Sequence, residues 1–148
     1  MPVLVSPLQP DGAIVEVLIG WSASDVHKLR TALKPIPAAL SGSALLDTGA
    51  EITCLDVSLV HALGLPVGGV VLANVPALGA PAGTIYRDIS LTVVHPSGNP
   101  HDNLREPNLT ALEVNLGPLG YQMLIGRDLL ARCRFLYNGP RGRFRLAC

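Results

Sequence analysis

Aromatic side chains are scarce in this chain: one Trp, two Phe and three Tyr in 148 residues. Any core must therefore be aliphatic, drawn from its many Leu, Val and Ile. No apolar run approaches the roughly 20 residues that a bilayer-spanning helix requires, so no membrane partner is expected. Cysteine is limited to Cys54, Cys133 and Cys148, odd in number and widely spaced. That spacing lacks the paired pattern of a metal site, and reduced thiols in a cytoplasmic protein are the expectation. The opening Met1-Pro2-Val3-Leu4-Val5 also lacks the basic stretch of a secretory signal. Without such a route, Asn108-Leu109-Thr110 fits a glycosylation acceptor only by chance. His27, His61, His95 and His101 have no metal-ligand spacing, and no Lys-Ser/Thr follows Gly68-Gly69 as a phosphate loop would need. No metal and no cofactor is expected.

Glycine (15) and proline (13) are plentiful and leave little room for long helices. Short strands with turns follow, in a single domain spanning residues 1–148. Formal net charge is zero, but it is unevenly spread. From Arg132 onward the chain carries Arg132, Arg134, Arg141, Arg143 and Arg145 and no acid, leaving six basic against eleven acidic residues before it. Arg141, Arg143 and Arg145 alternate, so on a strand they share one face. Such a block can mark a nucleic-acid surface, but charge guarding an exposed edge strand is the simpler reading. Nucleic acid is not expected as a partner.

The pattern predicts strands at Gly12–Gly20, Ser43–Leu46, Glu51–Leu55, Val67–Val75, Thr84–Val94, Leu109–Leu116 and Gln122–Ile125. A closing hairpin, Arg134–Tyr137 with Arg143–Leu146, turns at Asn138-Gly139-Pro140. Ser22–Leu33 carries helix signals, with Ser22 or Ser24 as cap and Pro35 as stop. Asp56 should cap a helix over Val57–Leu63 that ends at Gly64. Asp128 should cap a short helix reaching Cys133, and His95–Pro107 reads as a surface loop. Pro76 to Gly83 is a small-residue hairpin tip.

The chemistry gathers at Asp47-Thr48-Gly49-Ala50, directly after the apolar run Ala44-Leu45-Leu46. A Thr/Gly turn at a strand end exposes the carboxylate. An Asp-Gly pair there can be turn chemistry and nothing more. Peptide hydrolysis by carboxylates needs two of them sharing one water, one ionised as base and one protonated as acid. The chain has a single Asp-Thr/Ser-Gly. The second carboxylate must then come from another copy, which predicts a homodimer with the site on its two-fold axis.

Two segments, Ala44 to Ala50 and Met123-Leu124-Ile125-Gly126-Arg127-Asp128-Leu129-Leu130, occur in this order around the hairpin near Gly79. In this the chain resembles the retropepsins, the retroviral aspartic proteases and their single-domain cellular and bacterial relatives. The resemblance implies an all-β fold with short helices, one acid-protease lobe per chain and the active site at a homodimer axis. It implies an aspartic endopeptidase acting on extended polypeptides, with Asp47 catalytic and Thr48, Gly49, Ala50, Glu51 and Arg127 supporting the active site. Thr48 would hydrogen-bond across the axis, and Glu51 would pair with Arg127. Ala50 stands where many relatives carry Ser; losing that hydroxyl favours activity nearer neutral pH. Val75–Gly83 would be the flap, and Gly49, Leu78, Gly79, Ala80 and Ile125 would bind substrate.

The chain departs from the retroviral pattern in its longer N-terminal region, its C-terminal hairpin and its Ser22–Ser41 segment. In the first two it is similar to the cellular relatives of the DNA-damage-inducible type and to bacterial retropepsin-like proteins. Its flap tip lacks the aromatic of two-domain pepsins, with Tyr86 further along the strand. From another class, the same fold could be an inactive module binding a peptide or partner, with the Arg-rich hairpin as a contact for an acidic one.

Overall fold

The computed structural model describes residues 2–73 and 82–148. Ten strands and three short α-helices account for most of them, as expected for an all-β chain rich in Gly and Pro. The strands are β1 (Val3–Pro7), β2 (Ile14–Trp21), β3 (Leu40–Leu46), β4 (Cys54–Asp56) and β5 (Gly69–Ala73). β6 (Ala82–Val93), β7 (Leu104–Val114), β8 (Met123–Ile125), β9 (Arg134–Asn138) and β10 (Arg143–Ala147) follow. The helices are α1 (Ala23–Thr31), α2 (Val57–Leu63) and α3 (Arg127–Leu130).

Seven strands form one sheet in the order β2-β3-β8-β4-β7-β6-β5, and a further β2–β6 pairing curls it into a barrel. Closure leaves β5 as a spur paired to the first half of β6. The interior is aliphatic: Val17, Ile19, Leu55, Ile89, Leu91, Met123 and Ile125 are almost wholly excluded from water. The remaining strands make a three-stranded sheet, β1-β10-β9. Its inner face adds Leu4, Phe144 and Leu146 to the same core.

Two of the three helix signals hold. The third does not: α3 starts before Asp128, with Gly126 at its N-cap and no side-chain cap, and ends at Leu130, short of Cys133. Ser22 accepts from the Asp25 amide at 3.1 Å and starts α1. Its chain turns left-handed at Leu33 (φ 55°), so the helix stops short of that residue. Asp56 caps α2, and Gly64 ends it with φ 59°, a conformation glycine adopts without Cβ strain. Two strands differ from expectation. Glu51–Thr53 does not join a ladder: the Glu51 carbonyl and the Thr53 amide bond Asp128, and the Thr53 carbonyl takes the Leu112 amide. Residues 104–107, expected in a loop, belong to β7, with Leu91 opposite Glu106 and Val93 opposite Leu104. Pro107, which has no N–H to give, falls where the register slips between Ile89 and Leu91. β1 was not anticipated.

Cys133 and Cys148 form a disulfide, which corrects the reading of three reduced thiols. The register explains it: Arg134 faces Ala147 across the β9–β10 ladder, so the next residue on each strand meets its counterpart. Sequence spacing carries no trace of that pairing. The bond also removes the cysteine argument for a reducing compartment.

Asp56 does more than cap. Burial opposes its charge, but the Ser58 hydroxyl and the Leu116, Ser58 and Gly117 amides outweigh it and hold the carboxyl below its ordinary 3.8. The Leu116 amide lies 2.7 Å from Oδ1 and the Ser58 amide 3.0 Å from Oδ2. A carboxyl lowered on folding stabilises fully above its unfolded value and loses that contribution as pH falls through the folded one. Asp56→Ala is expected to cost about 1–2 kcal/mol at pH 7, the usual range for a lost cap. Denaturant titrations at pH 7 and pH 3 should show the deficit shrinking at the lower pH.

Candidate active site

β3 delivers Asp47 to the surface from inside the barrel. Leu46 is buried and Asp47 half-buried, while Thr48 and Gly49 are exposed. The Asp47 amide donates to the Ile125 carbonyl at 2.9 Å, continuing the β3–β8 pairing. Its Oδ1 accepts from the Gly49 amide at 2.8 Å, and its carbonyl from the Ala50 amide at 3.2 Å. The carboxylate is thus folded back onto its own turn. A Cβ at Gly49 would stand 3.1 Å from that Oδ1, crowding the contact that orients it.

β8 lies between β3 and β4, parallel to the first and antiparallel to the second. The Asp47 loop therefore bridges two strands that a third one separates. What fastens that loop is the turn after β8. The Arg127 amide donates to the Ala50 carbonyl at 2.8 Å and the Asp128 amide to the Glu51 carbonyl at 3.2 Å. Asp128 then takes the Thr53 amide on Oδ2 at 3.0 Å and the Thr53 hydroxyl on Oδ1 at 2.8 Å. Thr53 Oγ1 in turn accepts from the Gly126 amide at 3.2 Å. A Cβ on Gly126 would sit 2.8 Å from the Ile52 carbonyl carbon, closer than side chains approach backbone, so only glycine fits.

The sequence-expected support residues fare differently. Arg127 does brace the loop, but through Nη1 to the Thr48 carbonyl at 2.8 Å. Its expected pairing with Glu51 is not formed. The ion pairs among the described residues are Lys28–Asp25, Arg87–Glu113 and Arg132–Glu106, and Glu51 is exposed. Backbone bonds already hold Glu51, and they leave its carboxylate to solvent. Ile125, expected to touch substrate, has no exposed surface and belongs to the main core. Its neighbour Leu124 points the other way. Leu78, Gly79, Ala80 and the flap tip lie outside the described residues.

Thr53 and Asp128 are the support residues that sequence reading missed. Asp128 was legible only as a helix cap, and a buried Thr in an apolar stretch resembles ordinary strand filling. The cue was a carboxylate directly after Gly-Arg in the second of the two segments.

Leu124 joins Cys54, Leu112, Ile52, Val71, Tyr86 and Val114 in a second apolar cluster between the Asp47 loop and the β5–β6 arm. Burial pushes the Cys54 thiol up to about 11, reinforced by the negative charges of Asp128 and Asp47. At neutral pH it is a protonated core residue and not a nucleophile. No three His, Cys, Asp or Glu side chains gather as metal ligands among the described residues.

The barrel with its interposed β8 has a retropepsin-like fold. A crystal structure of a retropepsin-like aspartic protease from Rickettsia conorii is similar, with a TM-score of 0.53 at 16% sequence identity. The likeness covers 97% of this chain and 89% of that one. No protein-family model and no curated protein matches the sequence.

Two outcomes follow from this geometry. Thr53→Val should destabilise the fold by about 1–3 kcal/mol, the cost of stranding buried polar partners, whereas Thr53→Ser should restore most of it. Thermal melts of the three proteins decide this. Iodoacetamide at pH 7.5 should leave Cys54 unmodified in the folded protein and alkylate it in denaturant, as mass spectrometry would read.

Proposed function

We propose that this chain is an aspartic endopeptidase whose active unit is a homodimer, with Asp47 from each copy flanking one water. The observation that carries the reading is the Asp47 carboxylate held by Gly49 at an exposed loop tip on a retropepsin-like fold. A single such carboxylate cannot serve as both acid and base. Thr48 and Gly49 are exposed in the single chain, which leaves the loop tip free to meet its counterpart in a second copy. Thr48 would then bond across the axis.

Two carboxylates that close cannot both ionise, so the pair shares one proton. The ionised one takes a proton from the water as its oxygen attacks the scissile carbonyl carbon. The protonated one donates to the carbonyl oxygen, giving a neutral gem-diol. Collapse passes a proton to the leaving nitrogen, breaks the C–N bond and regenerates the shared-proton state. The Gly126–Thr53–Asp128 bonding keeps both loops fixed while charge moves, so little reorganisation is needed.

The substrate is an extended polypeptide, lying between the Asp47 loops and the β5–β6 arm, which serves as the stem of a flap. Leu124, Val71 and Ile52 pack together on this side and are each partly exposed; they would offer substrate an aliphatic surface, favouring apolar residues near the scissile bond. Ala50 supplies no hydroxyl to the carboxylate, and this favours an optimum above the strongly acid range.

Incubating a complex peptide library with wild type and Asp47→Asn from pH 3 to pH 8 tests the reading. Cleavage by wild type alone, next to apolar residues, is expected. Equal cleavage by both proteins, or none by a dimeric wild type, would refute it.

A further inference from the structure

The outer face of the terminal sheet carries arginines to which the proposed peptide hydrolysis gives no role. Strand alternation places Arg143 and Arg145 outward, since Phe144 and Leu146 between and beyond them are buried. The register sets Val5 and Leu136 on either side of Arg145, and Arg134 beyond on β9. Val5 is 49% and Leu136 58% exposed, although both are aliphatic. Arg141 stands at the adjoining turn. A cavity of about 280 Å³ opens here, lined by Val5, Leu136, Arg141, Arg143, Phe144 and Arg145 among others.

Among the described residues Arg134, Arg141, Arg143 and Arg145 form no ion pair. The three strands contain no acidic residue. The expected edge-guarding role does not apply to Arg143 and Arg145, because β10 is the middle strand of β1-β10-β9 and has no free edge.

We infer that this face binds an extended acidic polypeptide segment with glutamates at alternate positions. Arg143 and Arg145 are two residues apart on β10, about 6.8 Å at roughly 3.4 Å per residue. Carboxylates at alternate positions of an extended chain repeat with the same period and meet them in register. Val5 and Leu136 wall the row and pack against glutamate methylenes. The face repels a second copy of itself, because both would present arginine. Its outward register positions hold no aromatic ring on which bases could stack. Two aliphatic side chains are too few to anchor it in lipid. The inference goes beyond the proposed peptidase activity and does not need it.

Fluorescence anisotropy of a labelled (Glu-Val)4 peptide tests this on the full chain, at low and at moderate salt. Wild type should bind, with weaker binding as salt rises. Arg143→Gln/Arg145→Gln should weaken binding roughly tenfold, the sum expected of two well-placed exposed pairs. Arg143→Lys/Arg145→Lys should keep most of it, and Arg30→Gln/Lys34→Gln, remote in sequence, should keep all of it. The inference is overturned if wild type does not bind or if the glutamine variant binds equally well. Tighter binding through the same arginines to a single-stranded oligonucleotide, or to phosphatidylserine vesicles, would overturn the peptide assignment too. The readout is binding alone, so an inactive peptidase would pass or fail on the same terms.

Discussion

The bonding of Thr53 with Asp128 is the constraint on which the rest of this structure depends. Thr53 has no exposed surface, so its hydroxyl and amide need partners from the protein itself. Asp128 provides both, and Gly126 donates back to the same hydroxyl. These contacts pin the loop after β3 to the turn after β8. They thereby fix β8 between β3 and β4 and set Asp47 at its place on the surface. The backbone bonds from Arg127 and Asp128 to Ala50 and Glu51 complete the junction. Remove it, and Asp47 would sit on an unsupported seven-residue loop.

The two sheets divide the work. The barrel builds an aliphatic body, and the Thr53–Asp128 junction on it supports a carboxylate. The terminal sheet covers part of that body with Leu4, Phe144 and Leu146 and turns its arginines outward. Within this chain β1 pairs with β10, so the N-terminal strand is satisfied at home and need not be lent to a partner. Any dimer must then meet through edges or loops left free, the Asp47 loop among them. The disulfide between Cys133 and Cys148 closes the same sheet at its end.

Sequence reading went furthest where local chemistry decides structure. Caps at Ser22 and Asp56, the Gly64 stop and the Asp47 turn are all written in a few adjacent residues. The fold class followed from Gly/Pro punctuation and from two short segments in order. It failed where distant partners decide. Glu51–Thr53 carries strand-like residues, but the Thr53 amide bonds Asp128 at the start of α3, 75 positions away. Cys133 and Cys148 meet only because of the β9–β10 register. Arg127 bonds the Thr48 carbonyl and not the Glu51 carboxylate, a choice no residue type discloses. Ile125 and Leu124 differ only in strand phase, and a one-residue error in phase exchanges core for cleft.

The central claim is that one active site needs a carboxylate from each of two copies. Mixing wild type with Asp47→Asn at constant total protein, after subunit exchange, tests it directly. If every site draws on both copies, hydrolysis falls as the square of the wild-type fraction. A rate falling in simple proportion to that fraction would mean that each chain works alone, and would contradict the account.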